Sequence, residues 1–94
     1  MAGAEENGRL SATELAKAAL RTVRELTGFQ PEAATGLDWD GESWCVTVDA
    51  LELSRIPDTT DVLGTYEVRL DSAGSLRGYR RVRRYTRGQA HEEE

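Results

Sequence analysis

"LGTYEVRLDSAGSLRGYRRVRRYTR", residues 63–87, decides how this chain folds. Tyr66, Val68 and Leu70 alternate with polar residues, the period-two pattern of a half-buried strand. "DSAGS" follows, and it suits a three-residue loop, Ser72-Ala73-Gly74, with Gly74 in the left-handed position of a bulged type I turn. The run after the turn then returns as an antiparallel partner. If the register set at the turn holds, Leu70 faces Leu76, Val68 faces Gly78, Glu67 faces Tyr79, Arg80 faces Tyr66 and Asp61 faces Tyr85. Glu67 then lies diagonally between Arg77 and Arg81. Read this way, the six arginines of residues 77–87 are split over both faces of a last strand.

Working toward the N-terminus, "SRIPDTTDV" interrupts the pattern. Pro57 cannot donate to a sheet ladder and biases Ile56 toward extended backbone. Asp58, Thr59, Thr60 and Asp61 suit side-chain-to-backbone turns, so residues 54–61 are predicted to be a loop. Before it, "TGLDWDGESWCVTVDALEL" alternates again around Asp40-Gly41, a two-residue hairpin signal. A type I′ turn there pairs Trp39 with Glu42 and Leu37 with Trp44. Trp44, Val46, Val48 and Ala50 share one face. The alternation slips where Leu51 and Leu53 flank Glu52, which predicts a bulge near Ala50–Glu52 or a strand end covered by something else.

A helix is predicted over 12–27. Ser11 and Glu14 form a capping box, and Leu10 and Leu15 are placed to make a hydrophobic staple. Leu15, Ala19, Val23 and Leu26, widened by Ala16 and Leu20, give one apolar face, and Gly28 supplies the left-handed stop. The expected fold is therefore α+β: one N-terminal helix packed on a four-stranded antiparallel sheet built from two hairpins. A single domain is expected at 10–88, with a disordered lead-in at 1–9 and an acidic disordered tail at 89–94.

Composition narrows the function. At 94 residues with 38% hydrophobic and 31% charged residues, the chain has a small core. Neither a membrane span nor a signal peptide is visible, so a cytoplasmic location is expected. Cys45 is the only cysteine and lies in apolar "WCVTV", where a packed thiol is the natural reading. His91, the only histidine, sits in "AHEEE". These residues supply no Ser/His/Asp or Cys/His set and no metal, cofactor or catalytic site. The best enzymatic ingredients are Glu52, Asp58, Asp61, Glu67 and Tyr66, a potential carboxylate cluster. Acid-and-threonine loops are more commonly solvated turns, and no phosphate-cradling glycine loop accompanies them, so no enzyme is expected.

Net charge is −5. Half of the twelve basic residues lie in 77–87, which leaves six against seventeen acids elsewhere. The alternative reading is a small nucleic-acid-binding or regulatory domain, using arginines on phosphates and tyrosines on bases. An acidic body repels phosphate, and Glu67 beside the run weakens that reading further.

The ordered motifs carry a resemblance. Gly41 and Trp44, Glu52, Arg55-Ile56-Pro57-Asp58-Thr59, Asp61, Tyr66-Glu67-Val68, Asp71 with Gly74, and Arg84-Tyr85-Thr86-Arg87 occur in sequence. Together they resemble the gas vesicle protein O (GvpO) family over roughly residues 12–87. One departure stands on the second strand, where Asp49-Ala50 replaces a Val-Glu pair. The resemblance implies a non-catalytic accessory protein of gas vesicle formation, associated with vesicles and contacting other gas vesicle proteins. It implies no cofactor, small-molecule substrate or membrane. A contact surface is expected at Arg55, Ile56, Pro57, Asp58, Asp61, Arg80, Arg83, Arg84 and Arg87. The two open sheet edges also allow self-association.

Overall fold

The computed structural model describes residues 9–88. The expected acidic tail and, Arg9 apart, the expected lead-in lie outside the described residues. Helix α1 (Ala12–Thr27) precedes strands β1 (Gln30–Trp39), β2 (Trp44–Leu53), β3 (Val62–Leu70) and β4 (Leu76–Thr86). The strands form one antiparallel sheet in the order β1-β2-β3-β4. The α+β class and the two-hairpin sheet are as the sequence predicts.

Local chemistry sets the ends of α1. The Ser11 hydroxyl accepts from the Glu14 amide, and the Glu14 carboxylate accepts from the Ser11 amide at 2.9 Å. That bond to the Ser11 backbone holds the Glu14 pKa below its ordinary value. Gly28 closes the helix at φ 78°, donating to the Arg24 carbonyl. Leu15, Ala18, Ala19 and Val23 are buried against Val46, Val48, Ala50, Tyr66, Val68 and Leu70 of β2 and β3. Leu26 is exposed, because the buried stripe runs through Ala18 instead. The helix packs chiefly on β1, then on β2 and β3. None of the helices among the described residues is long and apolar enough to cross a membrane.

The first hairpin differs from its predicted turn. Trp39 faces Trp44 and Leu37 faces Val46, so the connection is the four residues Asp40–Ser43. Asp40 is the reason. Its Oδ1 accepts from the amides of Glu42 (2.9 Å) and Ser43 (2.8 Å), and its amide donates to the Ser43 carbonyl. Those backbone bonds also hold the Asp40 pKa below its ordinary value. Closing the loop on the Asp40 carboxylate brings the indoles of Trp39 and Trp44 together, with ring centroids 5.3 Å apart.

The second turn forms as expected. Gly74 has φ 89°, the Asp71 Oδ1 accepts from the amides of Ala73 and Ser75, and Leu70 faces Leu76. The predicted register does not persist beyond that pair. It slips by one at Arg77, so that Val68 faces Tyr79, Glu67 faces Arg80 and Tyr66 faces Arg81. It slips again at Val82, so that Thr65 faces Arg83, Gly64 faces Arg84 and Leu63 faces Tyr85. Each slip is a bulge on β4, and bulges are common on edge strands, where they bend and twist the free edge. On β2 the register shifts between Leu51 and Leu53, which makes Glu52 the extra residue, inside the predicted window. On β1 the shifts place Glu32 and Thr35 between paired neighbours.

Candidate functional site

Two carboxylates organise the end of the sheet where β2 leaves and β3 begins. The first is Glu52. Its bulge turns the side chain inward to 3% exposure, above Gly64 of β3. Oε2 accepts from the Tyr66 hydroxyl at 2.7 Å. Oε1 meets Arg81 Nη1 at 3.1 Å and Arg84 Nε at 3.3 Å. In an unbroken strand Arg81 and Arg84, three apart, point to opposite faces. The bulge at Val82 puts both on the helix side of the sheet, aimed at one acid. A buried carboxylate is costly unless paired and hydrogen-bonded, and here both oxygens are engaged. The Tyr66 pKa is pushed up to about 12, first by burial and then by its bond to Glu52.

The second is Asp61, whose side chain is 6% exposed. Oδ1 accepts from the Arg55 amide at 2.8 Å, which closes the 55–61 loop on itself. Oδ2 meets Arg87 Nη2 at 3.1 Å, and the Asp61 carbonyl accepts from the Arg87 amide. The same guanidinium reaches Glu32 at 2.8 Å. Hydrogen bonds donated to Glu32 and then to Asp61 raise the Arg87 pKa further above its already high value. Outer strands of a flat four-stranded sheet lie about 14 Å apart, and side chains stand off its faces instead of lying along them. The Glu32–Arg87 pair therefore requires the sheet to curl at this end. Leu63 lies buried there.

The predicted contact residues are placed as follows. Arg55, Ile56, Pro57 and Asp58 are exposed, and the Ile56–Pro57 bond is cis. Ile56 is 100% exposed at the tip of the loop. Beneath it Asp58–Thr60 make one 3-10 turn, with the Thr60 amide and hydroxyl both donating to the Pro57 carbonyl. Asp61 faces inward and anchors the loop. Arg80 pairs with Glu67 at 3.3 Å on the sheet face away from α1. Arg83 lies on that same face, its guanidinium 4.5 Å from the Tyr85 ring centroid. Tyr85 donates to Asp49, at 3.2 Å, and burial and then the Asp49 charge raise the Tyr85 pKa. Arg84 holds Glu52, and Arg87 holds Glu32 and Asp61. The arrangement expected from an unbroken register, with Glu67 between Arg77 and Arg81, Asp61 opposite Tyr85 and Arg80 opposite Tyr66, is replaced by these pairs because of the two bulges.

Sequence reasoning placed Glu52 and Tyr66 in a carboxylate cluster and did not bring Arg81 to them. The signal was Gly64. Glycine inside a strand marks a close approach, and a methyl there would overlap Glu52 Oε2 outright. Among the described residues no three metal-ligating side chains converge. Cys45 is half-buried, and its pKa is raised by burial and then by Glu67, Asp38 and Asp40, which suppresses the thiolate.

The description "Gas vesicle synthesis protein GvpO" belongs to a family model that matches residues 1–91. Gas vesicle protein O of Streptomyces sp. (strain CB03234) is 45% identical over 74 residues, 79% of this chain and 58% of that protein. The Haloferax mediterranei gas vesicle protein O is 36% identical over 76 residues, 80% of this chain and 54% of that one. Gas vesicle protein O1 of Halobacterium salinarum is 35% identical over 75 residues, 80% of this chain and 63% of that one. The chain thus spans little more than half the length of these curated relatives. No solved structure gives a significant match. The match across nearly the whole chain establishes that it belongs to the gas vesicle synthesis protein GvpO family.

Proposed function

We propose that this chain is a non-catalytic accessory protein of gas vesicle formation that works by binding other gas vesicle proteins. The observation that carries this reading is the 55–61 loop. It holds an isoleucine wholly in solvent while Asp61, bonded to Arg55 and Arg87, fixes the loop's base. A preorganised loop with an exposed aliphatic anchor is economical for binding, because little ordering entropy remains to be lost. Arg55, Pro57 and Asp58 frame the anchor, and the arginines of β4 extend the surface. The family relationship supplies the biological setting, with the protein acting at the vesicle or its precursors.

The nucleic-acid alternative is weakened by how the arginines are used. Arg81, Arg84 and Arg87 are engaged with carboxylates, Arg80 pairs with Glu67, and the run is divided between two faces. Self-pairing through β4 would set this arginine run against its own copy. The test is complementation in a vesicle-forming strain lacking the gene. Wild-type chain should restore vesicles and co-purify with vesicle proteins, whereas Ile56→Asp should lose the co-purifying protein with stability changed by less than about 0.5 kcal/mol. Normal vesicle counts in the strain without the gene would overturn the reading.

A further inference from the structure

α1 covers β1 to β3 and leaves the helix-side margin of β4 open. Along this ledge β4 presents Leu76, Tyr79, Arg81 and Arg84, which pair with Leu70, Val68, Tyr66 and Gly64. Leu76 is 43% and Tyr79 42% exposed. The Arg81 and Arg84 side chains remain 45% and 55% exposed although both bind Glu52. A guanidinium has five N–H donors. Glu52 takes Arg81 through Nη1 and Arg84 through Nε, and the Tyr66 hydroxyl is a further partner of Arg81, which leaves several N–H donors of the two forks for an incoming acceptor. Two guanidiniums around one carboxylate leave one positive charge, held in place and half open to solvent.

We propose that this ledge docks an extended acidic segment of a partner protein. An apolar or aromatic side chain of that segment rests on Leu76 and Tyr79, and its carboxylates take the outer edges of Arg81 and Arg84. The inference rests on the accessory-protein reading above and names the chemistry of the partner. Tyr79 and Arg81 are two residues apart, about 7 Å along the strand, so the segment needs its apolar residue and first acid at a similar spacing. Charge complementarity selects the occupant. An incoming carboxylate neutralises the residual positive charge of the cluster, and planar forks favour carboxylate geometry. A polyphosphate chain needs a longer basic track, and none is offered: Arg80 and Arg83 lie on the other face, and Arg87 is closed by Glu32 and Asp61.

The test is an NMR titration of the full chain, labelled with nitrogen-15, by a capped octapeptide containing one phenylalanine and four glutamates. The Nε–Hε signals of Arg81 and Arg84 and the amides of 76–84 should shift, while those of the Arg80 and Arg83 side chains stay. Arg84→Lys, which keeps the charge and removes the fork, should weaken binding several-fold. Arg81→Gln, with its fold checked by circular dichroism, should weaken it about tenfold. An absence of shifts at about 1 mM peptide, or shifts confined to the Arg80 side, overturns the proposal. So does displacement of the peptide by a thymidine oligonucleotide of equal charge. These outcomes are separate from the vesicle phenotype. A required gene whose ledge binds nothing refutes the ledge alone, and a dispensable gene refutes the reading beneath it.

Discussion

Gly64→Ala is the sharpest probe of the buried acid. Gly64 has an ordinary backbone conformation, so any penalty is steric. Its added methyl would occupy the space of Glu52 Oε2 and approach Tyr66 Cε1 to 3.0 Å. Glu52 must swing away and lose some of its bonds to Tyr66, Arg81 and Arg84. Hydrogen bonds to a charged group contribute about 1.5–3 kcal/mol each, and breaking a buried pair costs about 3–5 kcal/mol. Rigidifying the unfolded chain returns about 0.4–1 kcal/mol. A net loss of about 2–4 kcal/mol is expected. With a urea slope of about 1 kcal/mol/M for a chain this small, the unfolding midpoint falls by about 2–4 M. Tyr66 gives an independent reading: its pKa, pushed up to about 12 by burial and Glu52, should fall toward the ordinary tyrosine value of 10.0 as Glu52 leaves. A double-mutant cycle isolates the cause. In a Glu52→Ala background the alanine at 64 should cost less than about 1 kcal/mol, the remainder being coupling. Additive effects at 64 and 52, or an unchanged Tyr66 titration, would refute the role assigned to Gly64.

The remaining predictions concern the loop anchor, the phenol and the helix cap. Asp61→Ala leaves the Arg55 amide without its acceptor and should cost about 2 kcal/mol, seen as a thermal midpoint lower by about 10 °C. Glu32→Ala, which removes only a partly exposed partner of Arg87, should cost about 0–1 kcal/mol in the same assay. Because burial and Glu52 push the Tyr66 phenol above its ordinary value of 10.0 in the folded chain, its share of stability is complete below pH 10. That share is lost as pH rises through about 12. Urea melts across this window should show stability falling, with a shallower fall in Tyr66→Phe. Ser11→Ala removes the capping bond to Glu14 and should cost about 1 kcal/mol by urea denaturation.

What was legible in the sequence was local. The α1 cap, the Gly28 stop and the Asp71–Ser75 turn are each settled within a few residues, and each formed as read. The Asp40-Gly41 turn failed because the same dipeptide opens a two-residue hairpin or a longer loop closed on the aspartate. The choice depends on bonds to Glu42 and Ser43 that composition does not rank. The β4 bulges failed for a related reason. A slip is visible in sequence when apolar alternation breaks, as at Leu51-Glu52-Leu53. "RGYRRVRRY" has almost no apolar alternation to break, and its lone Val82 is an exposed bulge residue. The acid cluster depends on those bulges, so Arg81 stayed hidden while Glu52 and Tyr66 were already suspected.

The bulges also connect the arginine run to the shape of the sheet. Each added residue strengthens local twist. Twist at this end of the sheet is what allows Glu32 on the first strand to reach Arg87 beyond the last. Glu32 and Glu52 are themselves the extra residues of their strands, re-aimed by the distortion that makes room for their partners. A straight β4 would send Arg81 and Arg84 to opposite faces and leave Glu52 with one guanidinium fewer. The charge pattern of the run is therefore insufficient to define its role: six arginines in eleven residues suggest a phosphate-binding strip only while the strand is taken as regular. Once the two slips are included, three of the six arginines, Arg81, Arg84 and Arg87, are seen to hold acids that the same chain has buried. On the helix side of the sheet the margin of Arg81 and Arg84 stays exposed, and its orientation is fixed by the acid beneath it.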